Sequence, residues 1–122
     1  MDGERVRLRA PLEANCNHRG VGFGGSASAL ALLGGWAALQ QVLDGRFGDV
    51  EAVGGGASIR FLKPMRADLI VEASAPEGWE HAAQLAQTDG KAKILTSCVV
   101  SSAGRDCAVV DATFVLLAPF RW

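Results

Sequence analysis

The sequence predicts an α+β domain: a curved antiparallel sheet of five strands wrapped around one long central helix. Three observations predict it. No charged residue occurs between Arg19 and Asp44, and a helix that is apolar on all sides must be enclosed by other elements. Four segments of strand pattern follow, joined mainly by tight turns, which is not the strand–helix alternation of a parallel sheet. Gly54-Gly55-Gly56 interrupts the first of these segments, where a bulge would bend the sheet around the helix. The same glycines would also let a ligand approach the backbone, and the two readings are compatible.

Each element follows from its own pattern. In residues 6–12, Val6, Leu8 and Ala10 alternate with Arg7, Arg9 and Pro11, the period of a short first strand. Residues 15–22 are a loop. Residues 23–43 are the long helix, with Ser26 near its start and Gly45 in the following turn as its stop. Residues 50–63 form a second strand, with Ile59 and Phe61 on one face and Ser58, Arg60 and Leu62 on the other. A turn around Pro64 leads to a third strand at 69–75. Residues 76–89 are a short helix whose Trp79, Ala82, Ala83 and Ala86 share a face, ended by Gly90. Strands at 91–102 and 107–117 enclose a hairpin turn, with Val110, Ala112, Phe114 and Leu116 pointing inward. Residues 1–122 make one domain.

Composition narrows the function. The chain has 122 residues, is 49% hydrophobic and carries a net charge of −1, which is the profile of one globular domain with a modest core. A near-neutral balance, with basic residues scattered except for Arg5/Arg7/Arg9 and Arg60/Lys63/Arg66, argues against nucleic acid as a partner. Cys16, Cys98 and Cys107 form neither a disulfide framework nor a zinc pattern, so no metal is expected. They read as small hydrophobes in a reducing compartment. The Met-Asp-Gly-Glu start carries no secretory pattern, and the apolar run at 27–39 is too short to span a bilayer. The expectation is a cytoplasmic protein with no membrane contact.

The informative segment runs from Asn15 to Ser26, Asn-Cys-Asn-His-Arg-Gly-Val-Gly-Phe-Gly-Gly-Ser. Backbone N–H groups at a helix start are unpaired and carry partial positive charge, and glycine lets an oxygen come close. Such a segment suits a group that is negative or becomes so in a reaction. Gly20, Gly22 and Gly25 also match the GxGxxG spacing of dinucleotide-binding folds. That fingerprint needs a buried strand before it and an acid ending a second strand. Here a loop precedes it, and Asp44 directly follows the helix. Asn15 and Asn17 have a plainer use as turn residues, and Ser26 as a first-turn cap. His18 is a loop histidine placed to act as a base or simply to face solvent, and Cys16 has no readable paired base.

Together, Ala10-Pro11-Leu12, Asn15-x-Asn17-x-x-Gly20, Phe23-Gly24-Gly25-Ser26 and Ile59-x-Phe61-x-Lys63-Pro64 with Asp68 resemble the hotdog-fold thioesterase family of the YiiD C-terminal-domain type. The resemblance covers the chain from about Val6 to Pro119. It implies hydrolysis of an acyl thioester of coenzyme A or an acyl-carrier protein. No cofactor is implied beyond coenzyme A as part of the substrate. It also implies a homodimer or dimer of dimers with active sites at subunit interfaces. The backbone of Gly24 or Gly25 would hold the oxyanion. Related phenylacetyl-CoA-type thioesterases carry His-Gly-Gly at the helix start and an Asn six residues earlier. Phe23 stands at that His position here, and Asn17 matches the Asn. Asn17 is therefore expected to orient the water or the substrate carbonyl, with Ser26 in the catalytic set. Asn15, Phe23, Arg60, Phe61 and Lys63 are expected to bind substrate; Arg60, Lys63 and Arg66 either meet the coenzyme A phosphates or form ordinary solvated surface.

One departure matters. The mid-helix carboxylate of those relatives corresponds to Leu32. A base would then come from Glu13, Asp68 or Glu72, within one chain or across a dimer, or Asn15, Asn17 and Ser26 would hold the water without one. Two other function classes fit less of the pattern: a non-catalytic acyl-CoA-binding hotdog module, which the missing acid favours, and an acyl-thioester dehydratase or hydratase, which would need a His–acid pair at the helix.

Overall fold

The computed structural model describes residues 5–119. Its elements are β1 (Val6–Ala10), a 3-10 turn (Leu12–Ala14), α1 (Gly24–Arg46), β2 (Glu51–Phe61), β3 (Leu69–Ala73), α2 (Trp79–Asp89), β4 (Lys91–Ser102) and β5 (Arg105–Leu117). The five strands form one antiparallel sheet in the order β1-β3-β4-β5-β2. Helix α1 lies against all five strands, and α2 packs on β4 and β5. This is the hotdog arrangement that the sequence predicts.

The bulge is where the glycines are. Gly54 pairs with Phe114 and Gly56 with Thr113, so Gly55 is the extra residue. A Cβ at Gly55 would stand 3.1 Å from the Thr113 carbonyl oxygen, which leaves little room for any other residue. The β4–β5 hairpin turns on Ala103 and Gly104, both with positive φ (54° and 75°), the geometry of a two-residue hairpin loop.

Several boundaries differ from the sequence expectation. β1 stops at Ala10, because residues 12–14 coil into a 3-10 turn. Helix α1 passes through Gly45 and ends at Arg46 with Phe47 as cap. The Arg46 guanidinium accounts for this extra turn: it pairs with Glu80 at 2.7 Å and lies over the Phe47 and Trp79 rings. Tertiary contact with α2 thus overrides a weak local stop. Helix α2 begins at Trp79 rather than at 76, and buries Trp79, Ala82, Ala83 and Ala86 as expected.

The core has two parts. Ala27, Ala31 and Ala38 of α1 pack with Leu69, Val71, Cys98, Val100 and Val110, while Leu39, Val42 and Leu43 pack with α2, Phe114 and Leu116. Small residues let helix and sheet approach closely: a Cβ at Gly34 would be 3.0 Å from Val71 Cγ1. Gln40 is buried inside the helix–sheet layer. Its Oε1 accepts the Ala52 N–H at 2.8 Å, and its Nε2 donates to Asp44 at 2.8 Å and to the Val50 carbonyl at 3.3 Å. It seals the start of edge strand β2.

By length and composition α1 could cross a membrane, yet half of that window is buried inside the fold. One stripe stays open: Ala29, Leu33 and Trp36 are exposed, Leu33 by 52%. A sequence apolar all round predicts full enclosure, and a single chain leaves this face uncovered.

Candidate functional site

The start of α1 is held by the loop before it. The Phe23 N–H donates to the Asn15 carbonyl at 2.7 Å, and the Phe23 carbonyl accepts the Ala27 N–H at 3.1 Å. Phe23 is the N-cap in extended conformation, and no side chain caps the helix. Among the described residues, the N–H groups of Gly24, Gly25 and Ser26 therefore have no hydrogen-bond partner. Three parallel donors at the positive end of a helix form an oxyanion-binding geometry.

Beside these donors lies a groove of about 520 Å³, lined by Ala10, Asn15, Phe23, Gly25, Ser26, Ala29, Leu30 and Leu33. Its floor is the helical stripe 25, 29 and 33, spaced by one turn. Ser26 is not the cap: its side chain lines the groove, and its hydroxyl has no partner among the described residues. Leu32, at the position of the absent carboxylate, is partly buried against the core and does not line the groove.

The loop asparagines are structural first. Asn17 Oδ1 accepts the N–H groups of Arg19 at 2.9 Å and Val21 at 3.4 Å, and the Asn17 N–H donates to the Val21 carbonyl at 2.8 Å. This closes the tip of the loop. Asn15 Nδ2 donates to the Pro11 carbonyl at 2.8 Å, which ties the 3-10 turn to the helix start. Asn15 reaches the groove, and Asn17 does not line it. His18 is exposed on the loop.

The helix-start glycines have a second reason to be glycine. A Cβ at Gly24 would sit 2.6 Å from Phe61 Cζ, and one at Gly25 would sit 2.5 Å from Phe23 Cε2. Phe61 and Phe23 are nevertheless 55% and 54% exposed, two rings flanking the donors. Gly22 is more tightly constrained. It is buried, its N–H donates to the Met65 carbonyl at 2.7 Å, and a Cβ there would be 2.7 Å from Met65 Cβ.

None of the candidate bases faces the groove. Asp68 accepts the Leu12 N–H at 2.9 Å and pairs with Arg9 at 3.4 Å, fastening β1 to the β2–β3 connection. Glu72 pairs with Arg5 at 3.9 Å on the exposed face of β3. Glu13 is exposed and lines a separate cavity with Arg9, Cys16 and Asp68. Among the described residues, no group of three His, Cys, Asp or Glu side chains could hold a metal ion. Cys98 and Cys107 are buried and Cys16 is exposed, all three as free thiols. Burial pushes the Cys98 thiol up, which makes it a poor nucleophile.

The predicted substrate-binding cations separate. Arg60 is exposed on β2 opposite Val109 and lines none of these cavities. Lys63 and Phe61 line a shallow groove with Val21, Gly22, Pro64 and Met65, next to the helix start. Sequence reasoning did not foresee the groove residues Ala10, Ala29, Leu30 and Leu33. The spacing of 29 and 33 from Gly25 was the available signal.

A curved sheet around one helix, with unpaired donors at the helix start and an apolar groove beside them, defines a hotdog-fold protein of the thioesterase kind. The chain belongs to the family described as "Putative thioesterase (yiiD_Cterm)", whose model matches residues 1–118. Similar solved structures include the putative thioesterase from Shewanella oneidensis, 25% identical with a TM-score of 0.74 over 94% of this chain and 76% of that one. A protein of unknown function from Chlorobaculum tepidum, OLEI01261, is 19% identical with a TM-score of 0.87 over 97% and 79%. The BH2602 protein from Bacillus halodurans, solved with CoA, is 18% identical with a TM-score of 0.62 over 91% and 66%. No curated protein matches the chain.

Proposed function

We propose that the chain hydrolyses acyl-CoA thioesters by direct attack of water. The observation that carries this reading is the set of unpartnered N–H groups of Gly24, Gly25 and Ser26 at the mouth of an apolar groove. The thioester carbonyl points at these donors and the acyl chain lies along Ala29, Leu30 and Leu33. Water adds to the carbonyl carbon as a base takes one of its protons, and the carbonyl oxygen becomes an oxyanion facing the helix start. Collapse breaks the C–S bond, the departing thiolate takes up that proton from the base, and the carboxylic acid is released and ionises. One such donor supplies roughly 3–4 kcal/mol of transition-state stabilisation. Ser26 Oγ and the Asn15 amide are the polar groups placed to hold the water. Asn17 is a positioning residue that acts through the loop.

The reading includes a homodimer. β2 is an edge strand with unpaired backbone along one side, which a second copy can cover. The exposed stripe at Ala29, Leu33 and Trp36 leaves the groove open to the same partner. With no carboxylate among the described residues that line the groove, the base is assigned to the second copy. Sedimentation equilibrium combined with activity at decreasing protein concentration tests this. Specific activity falls together with the dimer fraction, and a fully active monomer contradicts it.

A groove lined by no carboxylate among the described residues also favours one other reading, a hotdog module that binds acyl-CoA without hydrolysing it. The free N–H donors would then hold the ground-state carbonyl. Thiol release separates the two.

A further inference from the structure

Where the β2–β3 connection passes the β4–β5 turn there is a notch of about 340 Å³, lined by Lys63, Pro64, Arg66, Ser102, Ala103 and Arg105. Three cations from two separate segments converge on it. Among the described residues no carboxylate lines it, and none of the three cations makes an ion pair. Like charges gathered in this way repel one another, and a polyanion relieves that repulsion.

The walls are fixed rather than incidental. Ser102 Oγ accepts the Ala67 N–H at 2.9 Å and donates to the Ala67 carbonyl at 2.8 Å. The Cys107 carbonyl accepts the N–H groups of Leu62 at 2.8 Å and Lys63 at 3.2 Å. Connection and turn are thus stapled together on both sides of the notch, and the cations are presented from a preorganised frame.

The notch is continuous with the helix start. Lys63 and Pro64 also line the groove that contains Gly22 and Phe61, and Phe61 lies against Gly24. We infer that the notch formed by Lys63, Arg66 and Arg105 binds the nucleotide phosphates of coenzyme A, with the pantetheine arm following Pro64 and Phe61 to the helix start. The inference rests on the thioesterase reading for the position of the thioester, but the phosphate site stands or falls by binding alone. A concave notch of this size fits a nucleotide phosphate group, whereas the acidic surface of a carrier protein would need a broad face. Arg105 lies about forty residues from Lys63 in the chain and reaches it only through the pairing of β2 with β5.

The test is calorimetric binding of free coenzyme A, pantetheine and inorganic pyrophosphate to the full chain and to Arg66→Ala, Arg105→Ala and the double variant. Coenzyme A binds at least tenfold tighter than pantetheine. Each substitution weakens coenzyme A by roughly three- to tenfold, leaves pantetheine unchanged and leaves the melting temperature within about 2 °C of wild type. The salt dependence of coenzyme A binding is reduced in the double variant. Unchanged coenzyme A affinity in the double variant, or no binding of coenzyme A at all, overturns the inference. Pyrophosphate binding as tight as coenzyme A would assign the notch to a free anion and overturn it as well. If thioesters are not hydrolysed but the variants lose coenzyme A affinity, the site survives and the hydrolytic reading fails.

Discussion

The ring of Phe61 covers Gly24 so closely that a methyl group on residue 24 would stand 2.6 Å from Phe61 Cζ. Position 24 thus serves both the backbone donor and the ring. Because Phe61 is half exposed, its ring can swing away at a modest cost, of order 1 kcal/mol. Gly24→Ala lowers thioester turnover more than tenfold through the displaced ring and the crowded donor. Adding Phe61→Ala to it restores stability but not full turnover, a non-additivity read by urea melts and kinetics on all four proteins.

Gly22→Ala behaves differently, since Met65 Cβ cannot move without its backbone. We expect a loss of roughly 1–3 kcal/mol, measured as a shift in the urea midpoint at constant slope. A neutral substitution would show that the two loops are not pinned together.

The loop role of Asn17 rests on its side-chain oxygen, which aspartate also supplies. Asn17→Ala costs about 1 kcal/mol and reduces turnover through the misplaced helix start. Asn17→Asp keeps the stability and most of the turnover. Turnover lost in the aspartate variant at native stability would instead place the Asn17 amide on the substrate.

Gln40→Leu leaves the Ala52 N–H and the Val50 carbonyl without their partner in a buried layer. Roughly 2–3 kcal/mol of stability is lost, together with protection of the Ala52 amide in hydrogen exchange. A stability within 0.5 kcal/mol, roughly, of wild type would mean that water replaces the amide.

The thiols give a pH and reactivity prediction. A raised folded-state value for Cys98 means that the folded chain holds this proton more tightly than the unfolded chain. The associated stability is complete below the ordinary thiol range of about 8.5 and is lost as pH rises beyond it. Cys98→Ala shows a smaller fall in stability between about pH 8 and pH 10. A thiol reagent modifies Cys16 alone in the native chain and all three cysteines in denaturant.

Much of this was readable from residues, and the exceptions have physical causes. The unbroken apolar segment, the triple-glycine bulge and the inward set Val110, Ala112, Phe114 and Leu116 reflect patterning that survives folding. Gly45 misled as a helix stop because Arg46, Glu80 and Trp79 meet only in three dimensions. The residue types at the helix start single out Gly24 and Gly25, but only packing shows that these two also make room for aromatic rings. Arg60 and Lys63, close in sequence, diverge because Arg60 sits within β2 while Lys63 lies past its end at Phe61, in the connection to β3. Arg105 joins Lys63 through strand pairing, which composition does not reveal.

The most direct test of hydrolysis is the rate of free-thiol release from a panel of acyl-CoA substrates, from acetyl to long-chain. Hydrolysis at the helix start requires turnover of at least one chain length, reduced more than tenfold by Gly24→Ala. No thiol release at any chain length, with acyl-CoA still raising the melting temperature, would contradict it and leave a binding module.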